Sequence, residues 1–107
     1  MSNFDKREEG FEKKVALDEE QKFRAEARRN RLLGLWAAEK LGITGDAATA
    51  YAKEVVAADF EEAGDGDVVR KVMGDLTAKG VALTQPQLRA KMDELMATAI
   101  IQIKTGT

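Results

Sequence analysis

The stretch FRAEARRNRLLGLWAAEKLG, residues 23–42, decides the fold class of this chain. Its apolar residues recur every three to four positions, the spacing of a helix that buries one face. Five of them lie near one face and four more widen it: Phe23, Ala27, Gly34, Ala37 and Leu41, then Leu32, Leu33, Leu35 and Trp36. The pattern predicts a helix over about residues 18–41, ended by Gly42.

Three further helices are predicted downstream. Thr44 is placed to cap a second helix, whose apolar spacing continues to Gly64. Asp65 or Asp67 begins a third helix, and Gly80 ends it.

The fourth helix has the clearest start signal in the chain. Thr84 and Gln87 have the spacing of a capping box, and Leu83 and Leu88 have that of a hydrophobic staple. Pro86 is compatible with the first turn of a helix. Valine- and isoleucine-rich runs with strand alternation are missing from the sequence. The predicted fold is therefore all-α, a four-helix bundle.

The N-terminal segment differs in composition from the rest. The first 31 residues hold 8 acidic and 9 basic side chains, and the remaining 76 hold 11 and 8. Phe4, Phe11 and Val15 are too few to bury this segment on its own domain, and Gly10 costs a helix roughly 1 kcal/mol relative to alanine. We therefore predict two parts, a charged, flexible arm (residues 1–17) that becomes helical on a partner, and a bundle domain (residues 18–107).

Several classes of function are excluded by what the sequence lacks. The chain has no cysteine and no histidine, which removes thiolate nucleophiles, the commonest general base and most zinc sites. Residues 59–70 resemble a calcium loop only in part, because Ala63 and Arg70 stand at two ligand positions. No phosphate-binding loop motif, secretory signal or membrane-spanning apolar run is present. We predict a cytoplasmic non-enzyme without a metal site, a required cofactor or membrane insertion.

Arg24, Arg28 and Arg31 repeat at helical spacing and form a basic stripe, with Arg29 beside it. The stripe is compatible with a solvated face, with docking on an acidic protein or a nucleotide phosphate, and with nucleic acid. The net charge of −2 and the lack of aromatic residues between the arginines make nucleic acid the weaker alternative.

Three stretches together resemble the zeta subunit of the bacterial (α-proteobacterial) F-type ATP synthase, an ATPase inhibitor family. They are FDKREEGFEKK (residues 4–14), FRAEARRNRLLGLWAAEKLG (23–42) and AYAKEVVAADFEEAGDGDVVRKVMGDLTAKG (50–80). The resemblance implies inhibition of ATP hydrolysis by the F1 head, with the arm inserted at an α/β catalytic interface. The implied partners are the F1 α and β subunits and the rotor γ subunit, which would place the protein at the periphery of the membrane-bound synthase.

The resemblance also implies a set of partner-binding residues and a ligand of the bundle. The inhibitory arm would contact its partner through Phe4, Asp5, Arg7, Glu8, Phe11, Lys13 and Lys14. Adenine nucleotide, ADP or ATP, is implied as a ligand of the bundle. Physical reasoning suggests Lys40, Thr44 and Gly45 for it, because a helix N-terminus favours anions, and the arginine stripe is the competing site. A nucleotide-sensing bundle without F1 inhibition and a nucleic-acid accessory protein remain the alternative functions.

Overall fold

The computed structural model of the chain describes residues 17–59 and 64–106, which fold as four helices. In chain order these are α1 (Glu19–Leu41), α2 (Gly45–Ala58), α3 (Gly66–Ala78) and α4 (Gln85–Thr105). No strand occurs in this part of the chain. The predicted all-α four-helix bundle is confirmed. The seven residues of the arm that were assigned to partner binding lie outside the described residues, and the boundary at residue 17 stays a prediction.

Two capping boxes fix the starts of the long helices. At α4 the predicted box is confirmed, because the Thr84 hydroxyl accepts from the Gln87 amide at 3.2 Å and the Gln87 side chain accepts from the Thr84 amide at 2.9 Å. At α1 the structure adds a box that we did not predict. The Asp18 carboxylate accepts from the Gln21 amide at 2.7 Å, and the Gln21 side chain accepts in return from the Asp18 amide. Each box satisfies two backbone donors that a helix leaves free.

The shorter helices differ in detail from the prediction. The second helix ends at Ala58 and not near Gly64, with Asp59 as its C-cap, and residues 60–63 lie outside the description. Asp59 begins an acidic run, and negative charge is unfavourable at the C-terminal end of a helix dipole. Asp65 occupies the N-cap position of α3, yet its carboxylate makes no cap bond and instead pairs with Arg89 of α4 at 3.2 Å.

The hydrophobic core lies between α1 and the other three helices, and α1 packs mainly against α2 and α4. Its largest members are fully buried and come from all four helices: Leu33, Val55, Val68, Val72, Leu76 and Leu88. Each such side chain contributes roughly 1.5–3 kcal/mol by leaving water. Among the described residues, the buried apolar side chains of this core begin at Ala25.

The described residues form neither a membrane-spanning helix nor a cluster of metal-binding side chains. No helix among them is long and apolar enough to cross a membrane. No group of three or more acidic side chains in residues 17–59 and 64–106 is arranged to hold a metal ion.

Candidate functional site: an arginine-lined groove

Helix α1 carries three arginines on one face, of which Arg24 and Arg31 are exposed and Arg28 is half-buried. Because the helix turns 100° per residue, Arg24, Arg28 and Arg31 lie along one ridge. They line an open groove of about 450 Å³, which we call the arginine groove. The other lining residues come from three helices and the end of the chain: Phe23, Ala27, Val56, Gln102, Ile103 and Gly106.

The positive charge of the arginine groove is not compensated by described carboxylates. Arg28 donates to the neutral side-chain oxygen of Gln102 at 3.2 Å, which fixes the arginine against α4 without neutralising it. None of the three arginines forms an ion pair within residues 17–59 and 64–106. Some cationic side chains elsewhere in the bundle are paired, as in Lys91 with Glu94 and Arg89 with Asp65. The arginine groove is therefore a concentration of unpaired positive charge.

Arg29 does not belong to this surface, although the sequence placed it beside the stripe. Its side chain is buried, with 8% of its surface exposed, and its Nε donates to the Asn30 side-chain oxygen at 3.0 Å. Asn30 is fully buried, and its Nδ2 has no hydrogen-bond partner among the residues that the structure describes. A nucleic-acid surface that uses all four arginines is consequently not formed by this fold.

The three residues suggested for nucleotide binding lie at the turn between α1 and α2, and all are exposed. Lys40 folds back along α1, with its Nζ 5.1 Å from the centre of the Trp36 ring. Thr44 is the N-cap of α2 but makes no side-chain cap bond, so the first amides of that helix remain available. Gly45 has a φ of +63° and open space where a Cβ would stand. The structure brings these residues to one end of the bundle, and nucleotide binding there stays a prediction.

A polar cluster between α2 and α3 was not predicted from the sequence. The Tyr51 hydroxyl donates to Asp75 at 2.7 Å, and Lys71 bridges Asp75 and Glu54, each at 3.1 Å. Burial, followed by the hydrogen bond to Asp75, raises the pKa of the Tyr51 phenol. Burial by itself would lower the pKa of Lys71, but the two carboxylates outweigh it and the pKa is raised. Tyr51 therefore stays neutral and Lys71 stays charged. The cluster links α2 to α3 through a hydrogen bond and an ion pair.

Only one wall of the arginine groove could be predicted from the sequence. Helical spacing identified the ridge of arginines, but the opposite wall comes from residues at least 25 positions away. Ile103 of α4 lies on this wall and is half-buried. No spacing rule connects a residue of α1 to its neighbour on another helix, so this pairing required the tertiary structure.

Comparison with known proteins identifies the family. The family model described as ATPase inhibitor subunit zeta matches residues 1–102. The chain belongs to this family. A structure solved by solution NMR is 56% identical in sequence and superposes with a TM-score of 0.70, covering 79% of this chain and 96% of that one. No match was found among curated proteins.

Membership of the zeta family indicates the general function of the chain. The family consists of ATPase inhibitor subunits, which supports ATPase inhibition and an interaction with an ATP synthase, and indicates a regulatory protein rather than an enzyme. The match begins at residue 1, so it includes the arm as well as the bundle. This agrees with the resemblance seen in the three sequence stretches.

Proposed function

We propose that this zeta-family protein inhibits ATP hydrolysis by the F1 head of ATP synthase. In this proposal the arm inserts at an α/β catalytic interface and becomes helical there, while the bundle remains outside and the rotor γ subunit is a further contact. The observation that carries the proposal is the family match from residue 1 to residue 102, which includes the charged arm.

The structure of the bundle is compatible with separate roles for the arm and the bundle. The helix that follows the arm begins at its own capping box, formed by Asp18 and Gln21. Within the described residues, the buried core starts at Ala25. In this proposal the bundle does not need the arm for its stability, so the arm can become ordered on a partner instead.

The proposal is tested by adding the full chain to purified bacterial F1 and following ATP hydrolysis. We expect hydrolysis to fall as the protein is added, and the α and β subunits to co-purify with the tagged chain from a bacterial membrane extract. Unchanged hydrolysis at a large excess of protein would refute the proposed function. Recovery of RNA or ribosomes, in place of F1 subunits, would favour the nucleic-acid accessory role.

We propose in addition that the bundle binds ADP or ATP weakly at Lys40, Thr44 and Gly45. Two features of the described structure support this position. The first amides of α2 are not occupied by the Thr44 side chain, and free helix N-termini attract phosphate. The ammonium groups of Lys40 and Lys91 lie 5.1 and 5.7 Å from the centre of the Trp36 ring, on a nearby part of the bundle.

A titration of amide chemical shifts with ADP and ATP separates the two candidate positions. We expect localised shifts at residues 40–45, with weak affinity, because the site is exposed and supplies few charges. Shifts at Arg28 and Arg31 alone would move the nucleotide to the arginine groove. A flat titration at millimolar nucleotide would remove nucleotide binding altogether.

A further inference from the structure

We propose that the arginine groove docks an acidic α-helix on the F1 subunit that receives the arm, so that the protein holds F1 at two places. This inference rests on the proposed function and adds a partner surface to it. It concerns the bundle. Insertion of the arm alone would not require the bundle to contact F1.

Charge is the first argument for an acidic partner. Guanidinium groups are well suited to recognise carboxylates, since their donors are arranged as a planar fork. Arg24, Arg28 and Arg31 have no carboxylate partner within the part of the chain that the structure describes. The chain as a whole carries a net charge of −2, so this ridge is a local positive feature and not a sign of a basic protein. An acidic partner would therefore be attracted to this ridge.

The shape of the groove favours a helix over a small ligand. Small-molecule sites usually enclose most of their ligand, whereas the arginine groove is open. From Arg24 to Arg31 the ridge extends about 10 Å along α1, at roughly 1.5 Å per residue. Carboxylates spaced by four and seven residues on a second helix lying alongside α1 would match this ridge. Val56 and Ile103 give that helix an apolar wall, which is the usual accompaniment of helix-in-groove recognition.

Position in the chain connects this surface to the arm. Arg24 is seven residues beyond the end of the arm at Leu17, and it lies in the second turn of α1, which begins at Glu19. A subunit that holds the arm must therefore present some of its surface to the first turns of α1. Two linked contacts bind more tightly than either alone, because the second forms at a high effective concentration.

The test compares two double variants of the full chain that change net charge equally. The groove variant is Arg28→Glu with Arg31→Glu, and the matched control is Lys53→Glu with Lys79→Glu, two exposed lysines outside the groove. Binding to F1 and inhibition of hydrolysis are both measured at low and high salt, and circular dichroism shows whether each variant keeps the bundle.

We expect the groove variant to need about ten times more protein for half-maximal binding and inhibition, since two favourable charge contacts become repulsive. The control should change by less than about twofold. Inhibition by the groove variant should still be complete at excess protein, because its arm is intact. The difference between groove variant and wild type should shrink at high salt.

Other outcomes separate this inference from the proposed function. Wild-type affinity in the groove variant, or an equal loss in the lysine control, overturns docking through the groove while inhibition stands. Loss of ADP-induced shifts without loss of F1 binding assigns the arginines to phosphate and also overturns it. Binding of F1 without inhibition refutes the proposed function alone, and absence of any F1 binding refutes both. If the groove variant unfolds, Arg28→Gln with Arg31→Gln is scored in its place, against Lys53→Gln with Lys79→Gln.

Discussion

We expect a chain that lacks residues 1–17 to lose its inhibition of F1 hydrolysis completely while its bundle stays folded. We expect this because the cap and the described core of the bundle use residues from Asp18 onward. Deletion to residue 17 leaves the Asp18–Gln21 capping box in place, and every buried apolar residue among those described lies at or after Ala25. The melting temperature, followed by circular dichroism, should therefore move little.

Single substitutions in the arm sharpen this prediction. Phe11→Ala should weaken inhibition more than Lys13→Ala or Lys14→Ala, because a buried aromatic contributes about 1.5–3 kcal/mol and rim charges mainly set orientation. The two lysine variants are the matched controls within the same segment. An arm-deleted chain that inhibits at the wild-type concentration would contradict insertion of the arm. A deletion that unfolds the bundle would show that the arm belongs to the core.

The fold was largely predictable because helix signals are local. The capping box at Thr84 and the glycine end of α1 at Gly42 depend on residues within one or two turns, and the structure confirms both. The end of α2 was predicted wrongly, since apolar spacing alone gave no weight to the acidic residues that follow Ala58. The Asp18 box was missed for a related reason. Asp18 interrupts the apolar spacing of the sequence, although it is the residue that caps the helix.

The candidate site was less predictable because it depends on how helices are paired. Spacing placed Arg24, Arg28 and Arg31 on one ridge, and the groove confirms that they share a surface. It also placed Arg29 beside them, but Arg29 is turned into the bundle toward Asn30. A residue one position from an exposed ridge is rotated by 100°, and whether that direction is solvent or core depends on neighbours distant in sequence.

The last prediction concerns Gly34 of α1, which packs closely against α2. A Cβ atom on Gly34 would stand 2.5 Å from the Ala52 Cα and 3.3 Å from the Val55 Cγ2. The first of these is a backbone contact, so only separation of α1 from α2 can relieve it. Glycine is kept in the middle of this helix despite a propensity cost of about 0.5–1 kcal/mol, and the tight packing explains why.

We expect Gly34→Ala to destabilise the bundle by about 2 kcal/mol, since overpacking of up to about 3 kcal/mol exceeds the gain in helix propensity. For a domain of this size that lowers the melting temperature by roughly 10 °C. The matched control is Gly74→Ala in α3, where nothing lies within 4 Å of the added Cβ. It should gain about 0.5–1 kcal/mol, because only the propensity term remains. The two alanines therefore move the melting temperature in opposite directions, and shifts of the same sign would mean that α1 and α2 do not pack as closely as the structure shows.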